Sequence, residues 1–222
     1  MTGALQAVLF DMDGTVADTE ALWVSAKAAV AHAHGIPWTE EDAHWAMGKP
    51  TPVYAGEFVR RGARGSVAEL ADEITAHVAA AVADDVVWMP GARQLLRALA
   101  EAEIPTALVT MAYRPVAEAV ARATGLPVFQ EIVAGDDVVH SKPHPEPYLT
   151  ALRRLAERGV DPAGCVAVED TVTGATSAES AGIRTLLVPS PHDRSLGLGP
   201  VAGRTIRPSL VGISPADLAA LV

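Results

Sequence analysis

The segment Phe10-Asp11-Met12-Asp13-Gly14-Thr15-Val16-Ala17-Asp18 decides how the chain is read, because it sets two carboxylates either side of Met12 where an apolar strand, residues 5–10, runs out. Such carboxylates cannot be buried without a partner, so they lie in solvent or meet a cation. Oxygen-only donors at a strand end suit Mg2+, which takes one or two carboxylates and leaves the rest of its shell to water and substrate phosphate. The alternative is a polar turn, with Gly14 supplying positive φ and Thr15 capping the next segment. The remainder of the chain discriminates between the two.

Half of the 222 residues are apolar, enough for a substantial core. The formal net charge of -10 opposes general binding to nucleic acid or to an anionic membrane, both of which require clustered Lys and Arg. Cys165 stands alone in an apolar run, which excludes an internal disulfide and implies a buried, inert thiol in a reducing compartment. No basic stretch followed by an apolar core opens the sequence, and no apolar run approaches ~20 residues. The expectation is a soluble, cytoplasmic monomer.

Outward from the first strand, residues 19–83 are rich in Ala, Glu and His and contain no convincing strand. The spacing predicts helices over 19–34, with a capping pattern at its start, 40–46, 52–61 and 66–83. Beyond Met89-Pro90-Gly91 the pattern alternates: helix 91–102, strand 106–109, helix 115–124, strand 132–134, helix 145–158, strand 165–168, helix 174–181 and strand 185–188. Apolar strands separated by helices imply a parallel sheet covered on both faces. The tail 190–208 reads as irregular, before a short closing strand and helix within 209–222. The expected architecture is α/β: a Rossmann-like, doubly wound core, residues 1–17 and 87–222, with an inserted α-helical cap domain, 18–86. An insertion of about 70 residues is longer than an ordinary loop.

Ligands in such sheets bind at the carboxyl ends of the strands. Polar residues collect there in order: Asp11 and Asp13 after the first strand; Thr110 after Ala107-Leu108-Val109; Lys142 in Ser141-Lys142-Pro143-His144-Pro145-Glu146; Glu169 and Asp170 after Val166-Ala167-Val168, followed by Thr171, Thr173 and Gly174. Singly, each has a plain structural alternative. Thr110 and the Glu169-Asp170 pair could cap helices, and Lys142 could be a solvated surface lysine. Their joint placement at successive strand ends is what points to chemistry.

This set resembles the four motifs of the haloacid dehalogenase superfamily, and Ser141 to Tyr148 and Val168 to Gly174 are similar to the subgroup containing β-phosphoglucomutase and phosphosugar phosphatases. The resemblance covers nearly the whole chain. It implies a Mg2+-dependent phosphatase acting on a small phosphorylated metabolite. Asp11 would be the nucleophile, forming an aspartyl phosphate, and Asp13 the acid and base. Asp11, the Asp13 backbone carbonyl and Asp170 would hold the metal, with Glu169 acting on it from behind. Thr110, the N–H of Met111 and Lys142 would bind the phosphoryl oxygens. Two positions depart from the pattern. Ala112 replaces a common Ser or Asn, leaving Arg114 either to substitute for it or to face solvent. Ser141 replaces a usual glycine.

In the cap, His32 and His34 point roughly 200° apart and read as helix-end residues. Trp23, Trp38 and Trp45 read mostly as core. The loop Met47-Gly48-Lys49-Pro50-Thr51 reaches toward the site in relatives, which makes Lys49 a candidate phosphate ligand. A phosphomutase is the nearest rival. Counting three from Gly48, where β-phosphoglucomutase relatives carry an arginine, this chain has Thr51, which favours hydrolysis. A phosphate-responsive binding module without turnover is a third reading. Dehalogenation is disfavoured, since it needs neither metal nor an acid at position 13.

Overall fold

The computed structural model describes residues 4–47, 49–189 and 201–222. Its main sheet holds six parallel strands: β1 (Ala7–Phe10), β4 (Thr106–Val109), β5 (Phe129–Val133), β6 (Cys165–Glu169), β7 (Arg184–Leu187) and β8 (Arg204–Ile206), in the order β5-β4-β1-β6-β7-β8. A separate antiparallel pair, β2 (Ala17–Asp18) and β3 (Val87–Trp88), joins the two points where the chain leaves and re-enters the sheet region. Between them run α1 (Glu20–Ala33), α2 (Glu40–Ala46), α3 (Thr51–Arg60) and α4 (Val67–Asp84). The later helices are α5 (Ala92–Glu101), α6 (Arg114–Ala123), α7 (Glu146–Ala156), α8 (Val172–Ser180) and α9 (Pro215–Ala219).

The strands alternate between two apolar clusters, as the period of two along a strand demands. Val8, Phe10, Leu108, Val166 and Val168 face one side with α5 and α6; Ala7, Leu9, Ala107, Val109, Cys165 and Ala167 face the other with α7. Helices on both faces make the sheet doubly wound. The first cluster continues without a break into the helical insertion, taking in Val30, Phe58, Ile74 and Val78. Among the described residues no helix is long and apolar enough to cross a membrane.

Several details differ from the sequence reading. Thr19 occupies the N-cap position of α1 but makes no cap hydrogen bond. The pair β2–β3 is invisible to pattern reading because two-residue strands carry no periodicity. Residues 204–206, expected to be irregular, form the edge strand β8, and no strand lies within 209–222, only α9. Residues 190–200 of the expected irregular tail, and Gly48 of the cap loop, lie outside the described residues.

Candidate active site

The loop that leaves β1 is shaped by Gly14. Its φ of +85° suits glycine, and a Cβ there would lie 2.3 Å from Asp170 Oδ2. Glycine thus lets the Asp11–Asp13 loop and the β6 end come together. Gly174 acts likewise at the start of α8, where a Cβ would stand 2.0 Å from Glu169 Oε2.

Lys142, between β5 and α7, is the hub of the resulting cluster. Its buried ammonium donates to Asp11 Oδ1 at 2.6 Å, Glu169 Oε1 at 2.7 Å and the Val109 carbonyl at 2.8 Å. That uses all three donors of the side chain. Burial alone would lower its pKa, but Asp11 and Glu169 override it and hold the pKa up. Tyr148 of α7 adds a donor, its hydroxyl 2.6 Å from Glu169 Oε1. The sequence reading misses this residue as a participant, although it closes the motif that contains Lys142.

Oxygens of Asp11, Glu169 and Asp170 lie within 4.8 Å of one another, and all three residues are buried. Three carboxylates therefore crowd together, two of them on the Lys142 ammonium. Burial first, and then the Asp11 charge, raise the Asp170 pKa; burial also raises that of Glu169, against the pull of Lys142. Glu169 Oε2 is buried with no hydrogen-bond partner. An oxygen-only donor set with excess negative charge and an orphaned carboxylate oxygen fits a hard divalent cation. Glu169 belongs to this cluster, its Oε1 held by Lys142 and Tyr148.

Asp13 is held separately. Its Oδ1 accepts from the Thr19 hydroxyl and, at 3.0 Å, from the indole N–H of Trp23; its Oδ2 accepts from Thr110 Oγ1 at 3.2 Å. Desolvation and the charge of Asp11 raise its pKa against these three donors. From sequence, Thr19 and Trp23 read only as cap and core. The signal that could have found them is their spacing: four apart, they share one face of α1.

The remaining sequence candidates divide between the site and its surroundings. Thr110 caps no helix; its oxygen accepts the Ala112 N–H at 3.0 Å while it donates to Asp13. Met111 follows it at the β4 end, with no acceptor among the described residues for its N–H. Lys49 is not drawn into the cluster, its Nζ lying 5.0 Å from the ring centre of Trp45. Trp45 is exposed, so it is not core, whereas Trp38 packs edge-on against Phe58. Arg114 neither replaces the missing Ser or Asn nor stands in solvent alone; it pairs with Asp137 and donates to the Ile132 carbonyl at 3.2 Å. His34 binds Glu73 of α4 at 2.9 Å across the helix pair, a partner the helix-end reading does not supply. Cys165 is buried, and burial pushes its thiol up to about 11, in keeping with an inert residue.

Comparison with known proteins places this geometry. The haloacid dehalogenase-like hydrolase family matches residues 5–182. Hexitol phosphatase A of Escherichia coli is 35% identical over 187 residues, covering 83% of each chain. Validoxylamine A 7'-phosphate phosphatase of Streptomyces hygroscopicus is 31% identical over 189 residues, covering 85% of this chain and 87% of that protein. The crystal structure of CbbY from Rhodobacter sphaeroides in complex with phosphate superposes with a TM-score of 0.85 at 30% identity, over 96% of this chain and 99% of that one. The fold, the ordered acids at the strand ends and these relatives agree: the chain belongs to the haloacid dehalogenase-like hydrolases.

Proposed function

We propose that the protein is a Mg2+-dependent phosphatase acting on a phosphorylated sugar or polyol. The observation that carries this is the gathering of the Asp11, Glu169 and Asp170 carboxylates, the first two paired with Lys142, with a further acid, Asp13, held apart on its own donors. Asp11 attacks phosphorus as the ester P–O bond breaks, and Asp13 gives its proton to the departing oxygen. Asp13 then takes a proton from water, whose oxygen attacks the aspartyl phosphate and returns Asp11 and inorganic phosphate. Thr110, the Met111 N–H and Lys142 border the phosphoryl group. Asp11, Asp170 and the Asp13 carbonyl would hold the cation, which when bound neutralises the charge shared by the carboxylates and the phosphoryl oxygens. The names of the relatives support a sugar-like ester, and hydrolysis over transfer. In this reading 1–17 and 87–222 form the core and 18–86 the cap.

The test is phosphate release from a panel of sugar and polyol phosphates with Mg2+ and with EDTA. Release should require Mg2+, and Asp11→Asn should lower it by at least about a thousandfold while the protein stays folded. Full turnover in EDTA would overturn the metal, and near-normal turnover by Asp11→Asn the nucleophile. A phosphomutase is the second reading, favoured by one observation that sequence alone does not offer: the cap holds a buried cation, Lys27. Thr51 in place of arginine therefore does not by itself exclude transfer. Incubation with β-glucose 1-phosphate and catalytic bisphosphate separates the two, since transfer yields glucose 6-phosphate faster than free phosphate.

A further inference from the structure

Asp13 is reached from one face of α1. Thr19 and Trp23 touch it there, and Lys27 lies one turn beyond Trp23 on the same face. Lys27 is only 5% exposed, an unusual position for an ammonium without a partner. Its Nζ rests 5.0 Å from the ring centre of Tyr54 in α3. Glu20, two turns back on α1, favours its charged form, while burial works more strongly the other way and lowers its pKa. A ring face attracts a cation but accepts no ordinary hydrogen bond, and among the described residues none supplies an acceptor to Nζ. Tyr54 in turn donates to Thr51 Oγ1 at 2.8 Å, and it is near enough to Asp13 for that charge to add to the effect of burial on its phenol. Tyr54 therefore lies within reach of the charge on Asp13, with Lys27 at its ring and Thr51 at its hydroxyl.

We infer that Lys27 is a specificity-determining residue that receives a second anionic group, carboxylate or phosphate, at the end of the substrate remote from the ester being cleaved. The preferred esters are then phosphorylated sugars with both ends negatively charged. The inference rests on the phosphatase reading above and adds to it the chemistry of the far end. An ammonium fits this task as a point charge on a flexible stem, able to follow either anion.

The experiment compares kcat/KM in Mg2+ for three esters: fructose 1,6-bisphosphate, 6-phosphogluconate and glucitol 6-phosphate, whose far end is neutral. In the unmutated protein at least one anion-ended ester should exceed the neutral-ended one by about tenfold, the worth of one charge-assisted contact. Preference for the bisphosphate alone assigns a phosphate, for the gluconate alone a carboxylate, and for both a general anion site. Lys27→Met, which keeps the stem over Tyr54, should remove the margin, and Lys27→Arg should retain most of it. A margin absent from the unmutated protein, or undiminished in Lys27→Met, overturns the inference. The first of these criteria stands even if Lys27→Met does not fold. If no ester is turned over, the phosphatase reading itself has failed. Calorimetric binding of fructose 1,6-bisphosphate to Asp11→Asn, with and without Lys27→Met, then decides Lys27 alone: equal affinities overturn it.

Discussion

Trp23 shows how much one donor can matter. Its indole N–H approaches the carboxylate oxygen of Asp13 and favours the ionised form, opposing the burial and the Asp11 charge that raise the pKa. In the proposed mechanism Asp13 carries the proton that releases the leaving group, so the alkaline limb of a kcat profile would report its loss. Trp23→Phe removes a stabiliser of the carboxylate and raises that pKa. The limb should move to higher pH, and kcat at neutral pH should fall by about tenfold as the acid loses its orientation; an unmoved limb would detach Trp23 from the acid. The acids, Thr110 and Lys142 are legible from the sequence because they follow strands, whose direction fixes where the next residue lies. Thr19 and Trp23 are not. Their roles depend on how the start of α1 is set against Asp13 in the loop after β1, which no local pattern encodes.

Local signals serve the elements well wherever the chain supplies its own boundaries. Ser66 and Glu69 form a reciprocal capping box at the start of α4, as Thr39 and Asp42 do for α2, and both helices begin within a residue of where the sequence sets them. Ser66→Ala should cost about 1 kcal/mol. In a protein of this length that lowers Tm by about 3 °C, with kcat/KM unchanged, since the cap is exposed and no site residue lies on that turn. A scanning calorimetry trace without a shift would count against the box. The elements that escape a reading of the sequence, β2, β3 and β8, are two or three residues long. They exist because a neighbouring strand offers its hydrogen-bond edge, a tertiary cause with no trace in composition or period.

At the scale of the molecule, one apolar cluster runs from the sheet into the helical insertion, so the two parts share packing rather than meeting across a polar seam. Chemical unfolding should therefore follow one transition. Three of the four tryptophans, Trp23, Trp38 and Trp45, lie in the insertion and Trp88 in β3, so their fluorescence reports mainly on the insertion, and far-ultraviolet dichroism on the whole chain. The two midpoints should coincide within error, and separated midpoints would show that the parts unfold independently. Mg2+ should raise the common midpoint in a saturable way by relieving the repulsion among Asp11, Glu169 and Asp170, and Asp170→Ala should weaken that response. The anchoring of Asp13 also has a temporal side. Two of its three donors belong to α1, at its N-cap and in its first turn, and only Thr110 belongs to the sheet. Any excursion that lifts the start of α1 away from Asp13 strips those two contacts at once, leaving the carboxylate with Thr110 alone of the three. Under the proposed mechanism, proton transfer by Asp13 would then require the helix to be seated.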